Sequence, residues 1–306
     1  VADRAALAAQ AGSAGSAGSD PSGGRSAPRG GIDEVAEPSV RTGPEGDRRS
    51  DPFGRDLVAA IEGDGLRLVH QPLVGRDGSL SGLEALVRWD HPTLGAVGPE
   101  RILSAAETDD LAGPLGRWVR RTALAERRRW LGRLPTSMPV PVHVNMSAAE
   151  LALPHVVEVV LSDLDEAGLD PDAIVIEVRE RHLAEPALRE VVAKLAQVGI
   201  EVLVENAGQG GVSLADMAGL SVQGLKLGQS LVARIREDDP LGVEVARSLV
   251  LLAHGLGWRS LAVGVETDHQ RSVLFGFGVD AVQGRIVSMP LERDELLSWL
   301  AARPAR

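Results

Sequence analysis

The feature that most constrains this 306-residue chain is a regular alternation of short strand-like runs with helix-like segments. The strand-like runs cover residues 66–72, 80–89, 140–146, 173–178, 200–205, 222–227, 260–265 and 279–283. Eight such units over about 250 residues are typical of a barrel of parallel strands. An open doubly wound sheet is the alternative, but no glycine-rich phosphate fingerprint follows the first strand. The sequence therefore predicts an α/β fold of the TIM-like (β/α)8 type.

The first 50 residues differ from the rest of the chain in composition. Of residues 1–30, 22 are Ala, Gly, Ser or Pro, and they include a threefold Ala-Gly-Ser repeat at 11–19. Such a segment buries too little apolar surface to offset its ordering entropy. We therefore expect residues 1–50 to be a disordered tail or linker, and residues 51–306 to form the folded domain.

Charge and cysteine content exclude several classes of protein. The net charge is −11, which argues against a broad nucleic-acid surface, and the chain has no cysteine for a disulfide or thiolate metal site. No apolar run reaches transmembrane length, and the first residues lack the apolar region of a signal peptide. The sequence thus predicts a cytoplasmic protein without a membrane span or a nucleic-acid partner.

The run 80–89 carries the most unusual strand face. Alternation places Glu84, Leu86 and Arg88 on one face and apolar side chains on the other. An acid can bind a cation, and a guanidinium can bind phosphate with two hydrogen bonds. The alternative interpretation is an exposed ion pair at a strand end.

Polar residues also recur where the other predicted strands end. They are Asn145, Glu177, Glu205 with Asn206, Lys226, Glu266 and Gln283. In a parallel barrel the carboxyl ends of the strands meet at one mouth, where barrel enzymes carry their chemistry. Each residue alone fits a cap or surface position, but together they predict a polar site at that mouth.

Several short motifs occur in a recognisable order. They are Gln71-Pro72, Glu84-Ala85-Leu86-Val87-Arg88-Trp89, Val144-Asn145-Met146-Ser147, Leu225-Lys226, Gly264-Val265-Glu266-Thr267 and Asp280-Ala281-Val282-Gln283-Gly284. In order and spacing the chain resembles the EAL domain, the bacterial phosphodiesterase module for cyclic di-GMP, from about residue 57 to residue 300. The resemblance implies a TIM-like barrel with one irregular strand and a site at its C-terminal mouth.

The resemblance also implies roles for individual residues. Active members hold two Mg²⁺ or Mn²⁺ ions, with ligands at Glu84, Asn145, Glu177, positions 205 and 206, and position 228. Lys226 would orient the attacking water, and position 263 would carry the general base. For the nucleotide, Arg88 would contact a phosphate, Leu86 would pack on a guanine, and Gln71 and Gln283 would lie beside the ligand. Glu266 would stabilise a loop.

The sequence departs from the family pattern in the metal half of that site. Position 205 is Glu rather than Asp, position 206 is Asn, position 228 is Gly, and the base position is Val263. Three negative charges are therefore missing from a site that must hold two dications, which need such oxygen ligands. We expect a degenerate member that has lost phosphodiester hydrolysis and keeps Lys226 as a remnant.

The expected cofactor follows from the same losses. Glu84, Asn145, Glu177 and Glu205 would hold one Mg²⁺ or Mn²⁺ weakly at most, and no cofactor is required. In the alternative, Glu84 pairs with Lys226 and no metal binds.

Three functional hypotheses remain open on the sequence. The first is an effector that binds cyclic di-GMP without cleaving it. The second is a protein-interaction module, acting on a protein partner or as a homodimer, that no longer binds the nucleotide. The third is a weak cyclic di-GMP phosphodiesterase.

Overall fold

The computed structural model describes residues 52–131, 140–208 and 211–302. The predicted tail at residues 1–50 lies outside them, so its disorder stays a prediction. In the described part, no helix combines the length and apolar character needed to cross a bilayer.

Eight strands close into a barrel, and one additional short strand, the third in chain order, pairs with the end of the second strand outside the ring. The strands are β1 Leu66–Gly75, β2 Leu80–His91, β3 Gly95–Val97, β4 Val142–Asn145, β5 Ile174–Arg179, β6 Glu201–Ala207, β7 Gly224–Leu227, β8 Arg259–Ala262 and β9 Ala281–Val282. Their order is β1-β9-β8-β7-β6-β5-β4-β2-β3, and an additional pairing of β1 with β2 closes the ring. The predicted TIM-like barrel is confirmed.

Helices surround the barrel in the expected alternation. They are α1 Pro52–Glu62, α2 Pro99–Thr108, α3 Ala112–Leu131, α4 Ala148–Leu151, α5 Val156–Ala167, α6 Pro186–Gln197, α7 Leu214–Ala218, α8 Gln229–Val232, α9 Pro240–Gly255, α10 Asp268–Phe277 and α11 Arg293–Ala301. Two 3₁₀ turns, Pro171–Ala173 and Glu180–Ala184, lie at the two ends of β5. The apolar core fills the space between these helices and the strands.

The irregular strand implied by the family resemblance is β1. It runs antiparallel to both of its neighbours, β2 and β9, whereas β4 to β9 pair in parallel. The reversal follows from a tight turn: Gly78 has a φ of 80°, and the Asp77 carboxylate accepts a hydrogen bond of 2.9 Å from the Ser79 amide. Strands β1 and β2 are therefore a hairpin built into a parallel barrel.

The strand bounds differ from the predicted runs mainly at the carboxyl ends. The predicted run 140–146 shortens to Val142–Asn145, because Ser147 begins α4 by accepting a hydrogen bond from the Glu150 amide. Likewise, run 279–283 shortens to the two residues of β9. In the other direction, β2 continues through His91, since Trp89 to His91 pair with β3.

The barrel interior is layered. One layer is apolar and fully packed, and consists of Leu73, Val175, Leu203, Leu261 and Ala281. Side chains on the same strand face recur every second residue, so the next layer toward the mouth contains Gln71, Glu177 and Glu205. Gln283 directly follows β9 and joins this layer through hydrogen bonds to Gln71 and Glu84. The apolar layer is thus the floor beneath a largely polar mouth.

Candidate functional site

Lys226 lies at the centre of the polar mouth. Its side chain is fully buried, and its Nζ donates to Glu84 Oε2 at 2.9 Å and to both Glu177 oxygens at 2.7 Å. Burial alone lowers a lysine pKa, but the Glu177 and Glu84 carboxylates outweigh it and raise the pKa of Lys226 above its ordinary value. We call Glu84, Glu177, Glu205 and Lys226 the acidic cluster.

Glu177 has a second partner that the sequence analysis missed. The Nδ1 atom of His143 lies 2.7 Å from Glu177 Oε1, and both side chains are buried. Burial raises the pKa of Glu177, but Lys226 and His143 reverse the effect and bring it to about 2. A Cβ atom at Gly82 would collide with the His143 ring, so the glycine makes this contact possible. The available signal was alternation, since His143 precedes Asn145 by two residues on the same strand face.

Glu84 is held by amides as well as by Lys226. Asn145 donates from Nδ2 to Glu84 Oε1 at 2.9 Å, and Gln283 donates from Nε2 to Glu84 Oε2 at 2.8 Å. Gln283 Nε2 also lies 2.9 Å from Gln71 Oε1, and Gln71 Nε2 donates to the Ser288 carbonyl at 3.0 Å. The structure therefore brings these four predicted site residues into one hydrogen-bond network.

Glu205 is the least compensated acid of the cluster. Among the described residues its Oε2 atom accepts no hydrogen bond, and Arg179 Nε lies 3.6 Å away. Burial raises the pKa of Glu205 to about 7; Lys226 opposes this rise, and the Glu177 and Glu84 carboxylates add to it. The fold therefore favours the protonated form of Glu205 relative to an exposed glutamate.

The oxygen atoms of the acidic cluster show whether the mouth could hold metal ions. One oxygen each from Glu84, Glu177 and Glu205 lies within 4.8 Å of the others, which fits one cation. Glu84 and Glu177, however, already accept hydrogen bonds from Lys226, which offsets one of their two negative charges, and Asn145 turns its NH₂ group toward Glu84. A second ion has no carboxylate to hold it at positions 206 or 228, so this site does not fit two dications.

Arg88 lies beside the acidic cluster but, unlike Lys226, forms no ion pair there. It shares a strand face with Glu84 and Leu86, as alternation predicts, while Ala85, Val87 and Trp89 are buried in the core. Its Nη1 donates to the Val87 carbonyl at 2.9 Å, and it forms no ion pair with any residue in the described ranges. The alternative of a structural ion pair between Arg88 and an acid is therefore not what the structure contains.

A cavity of about 470 Å³ opens from the mouth between β2, α2 and α3. Its walls are apolar at Leu86, Leu103, Leu115 and Val119, but half of the residues that line it are polar or charged, including Glu84 and Glu205 at its barrel end. A cavity of this volume with both apolar and polar walls is large enough for a small molecule.

Two loop acids differ in their position relative to the mouth. Glu180 is buried, and its carboxylate accepts hydrogen bonds from the Gly208 amide at 2.7 Å and the Val212 amide at 3.4 Å. It therefore anchors the segment after β6, a role that the sequence analysis did not assign. Glu266 is exposed outside the acidic cluster, and Arg285 Nη2 donates to it at 3.1 Å.

Comparison with known proteins is consistent with this geometry. The family model of the EAL domain matches residues 55–290. A cyclic di-GMP phosphodiesterase of Pseudomonas aeruginosa is 30% identical over 240 residues, covering 78% of this chain and 40% of the relative. An uncharacterized protein of Mycobacterium tuberculosis is 30% identical over 281 residues, covering 91% of this chain and 45% of the relative.

Solved structures give the same result. PaMucR phosphodiesterase in complex with c-di-GMP has a TM-score of 0.75 at 28% identity, covering 79% of this chain and 98% of that one. The EAL domain of Mycobacterium smegmatis DcpA has a TM-score of 0.65 at 27% identity, covering 80% and 99%. The chain spans less than half the length of the curated relatives given above. By its family match, its barrel and its mouth residues, the chain belongs to the EAL domain family.

Proposed function

We propose that this EAL domain binds cyclic di-GMP without hydrolysing it and acts as an effector in cyclic di-GMP signalling. The observation that carries the proposal is the contrast at the mouth: Lys226 forms ion pairs with both Glu84 and Glu177, whereas Arg88 forms no ion pair with an acid among the described residues. A buried acid pair closed on a lysine is unsuited to collecting dications, and an unpaired guanidinium is suited to binding phosphate.

The nucleotide is proposed from the family. The Pseudomonas relative is named a cyclic di-GMP phosphodiesterase, and the PaMucR structure is titled as a c-di-GMP complex. In this chain a phosphate would meet Arg88, and a guanine would pack on Leu86 at the entrance of the cavity. Gln71 and Gln283 would border the ligand through the amide network that also positions Glu84.

Loss of hydrolysis is proposed from the missing groups. Val263 cannot accept a proton at the general-base position, a contribution of about 10²–10⁴ in rate. Gly228 provides no carboxylate, and Asn206 provides an amide oxygen without charge. We propose that no cofactor is required and that the three acids hold one Mg²⁺ or Mn²⁺ weakly at most.

Calorimetric titration of the full chain with cyclic di-GMP in EDTA tests the binding. A charged hydrogen bond contributes about 1.5–3 kcal/mol, so Arg88→Ala should weaken binding by roughly ten- to a hundredfold. Arg247→Ala is the matched control, because Arg247 is exposed on α9 and pairs only loosely with Glu244 at 3.7 Å.

Two results would contradict the proposal. No binding to the wild-type chain at about tens of micromolar nucleotide would leave the protein-interaction module as the function. Binding that disappears in EDTA would show that the metal half of the site is needed.

A further inference from the structure

The pairing register of the β1–β2 hairpin determines what lies opposite Arg88. The Cα partners along this ribbon are Gln71↔Glu84, Val69↔Leu86 and Arg67↔Arg88. Directly opposed residues share one face of a sheet. Arg67 is therefore on the face that carries Glu84, Leu86 and Arg88, one step farther from the barrel floor than the proposed guanine contact.

Two arginines opposite each other are an unusual pair. Like charges directly across a ladder destabilise it. The pKa of Arg88 is lowered, first by its burial and next by the charge of Arg67, while the carboxylates of Glu292 and Glu84 act in the opposite direction. These acids form no ion pair with Arg88 itself in the described ranges, so its own guanidinium has no carboxylate in direct contact. An anion between the two guanidinium groups would remove the repulsion between them.

Arg67 is held at present by two exposed acids. Its Nε donates to Asp90 Oδ2 at 2.9 Å, and its Nη1 contacts the Glu292 carboxylate. Exposed ion pairs of this kind contribute little stability, so replacing one carboxylate by another anion costs little. Asp90 binds the Nε side of the guanidinium and Glu292 binds the Nη1 end, so a ligand can replace Glu292 while Asp90 keeps Arg67 oriented.

We propose that Arg67 and Arg88 form a two-arginine clamp for a phosphodiester group of the ligand, and that Glu292 occupies Arg67 until the ligand displaces it. The clamp rests on the proposed function for the identity of its ligand. Its chemistry, two guanidinium groups on one oxyanion, is independent of the nucleotide bases.

The first experiment is a cyclic di-GMP titration of the full chain in EDTA. Arg67→Ala should weaken binding by about tenfold, the value of one charge-assisted hydrogen bond. Glu292→Gln should tighten it by about two- to fivefold, because the carboxylate competitor is gone. The Glu292 side chain accepts a hydrogen bond from the Glu295 amide at the start of α11. Glutamine keeps an oxygen that can accept the same hydrogen bond.

The controls keep the result interpretable. Arg247→Ala removes an exposed arginine elsewhere and should bind like wild type. Binding of Arg67→Ala within twofold of wild type would overturn the clamp, and weaker binding by Glu292→Gln would overturn the displacement by ligand.

A second probe separates failure of the clamp from failure of the proposed function. Inorganic pyrophosphate, compared with chloride at equal ionic strength, should raise the wild-type melting temperature, and Arg67→Ala and Arg88→Ala should each remove that shift. If the wild type ignores the nucleotide but shows this pattern, the effector proposal fails and the clamp stands. Equal shifts in wild type and both variants would overturn the clamp.

Discussion

The two sides of the barrel mouth carry opposite charge, and they differ in how far that charge is paired within the chain. In the acidic cluster, Lys226 and Glu177 are fully buried, and every carboxylate oxygen of Glu84 and Glu177 accepts a hydrogen bond from another side chain. On the clamp side, Arg67 is 40% exposed and Arg88 is half-buried beside it without an acid in the described part of the chain. The comparison teaches that buried, ion-paired side chains stabilise the fold, whereas partly exposed arginines remain available to a ligand.

Desolvation explains why the two sides differ. A buried ion costs several kcal/mol unless it is paired, and Lys226, His143 and two side-chain amides offset that cost for Glu84 and Glu177. The arginines retain contact with water, and their repulsion is therefore tolerable without a permanent partner.

The largest expected effect concerns catalysis. With Mg²⁺ or Mn²⁺ the wild-type chain should form no measurable linear product from cyclic di-GMP, at least about 10²–10⁴ below an active family member, because Val263 is not a base. Chromatography of the products measures this. Turnover comparable to an active member and abolished by Glu84→Ala would refute the proposed loss of hydrolysis.

A variant with Asn206→Asp, Gly228→Asp and Val263→Glu sharpens the same test. A side chain at position 228 would meet the Asn206 amide, so the first two changes belong together. We expect this triple variant to recover a trace of activity.

The next effect concerns stability of the acidic side. Lys226→Met should lower the free energy of unfolding by about 3–5 kcal/mol, because it leaves Glu84 and Glu177 buried without their cation. Urea denaturation measures the change. The control is Lys194→Met at the other lysine of the chain, which is exposed on α6 and should change stability by less than about 0.5 kcal/mol. Equal midpoints for Lys226→Met and wild type would break the comparison.

The smallest effect is a pH dependence at Glu205. Its pKa rises from 4.5 to about 7 on folding, so between these values the folded chain binds the extra proton and stability falls as pH rises. Glu205→Gln should match wild type near pH 4 and exceed it by about 1–3 kcal/mol at pH 8. Urea unfolding at both pH values tests this, with the exposed Glu190→Gln as control. A difference that is the same at both pH values would show that Glu205 ionises normally in the fold.

The barrel fold and most residues of its mouth were predictable, because they follow from strand alternation and strand order. Alternation assigns Glu84, Leu86 and Arg88 to one face, and the series of strands brings Glu177, Lys226 and Gln283 to one mouth. The first is a consequence of local strand geometry, and the second follows from the order of strands in a parallel barrel.

What the sequence could not provide is pairing across the barrel. The register of the β1–β2 hairpin places Arg67 opposite Arg88. It depends on the exact turn and on the irregularity between Leu73 and Val74, which alternation along the sequence does not locate. The contact of Lys226 with Glu177 in addition to Glu84, and the space beneath Gly82 for His143, depend likewise on closure of the ring.

The short strand β9 has a mechanical consequence. It joins β1 through two residue pairs, Val74↔Val282 and Gly75↔Ala281, and joins β8 through two more. Beyond its end, the amide of Gln283 reaches across the seam to Gln71 and to Glu84. Opening the barrel at this seam therefore breaks the bonds that shape the mouth, and a ligand that orders those amides also holds the ring shut.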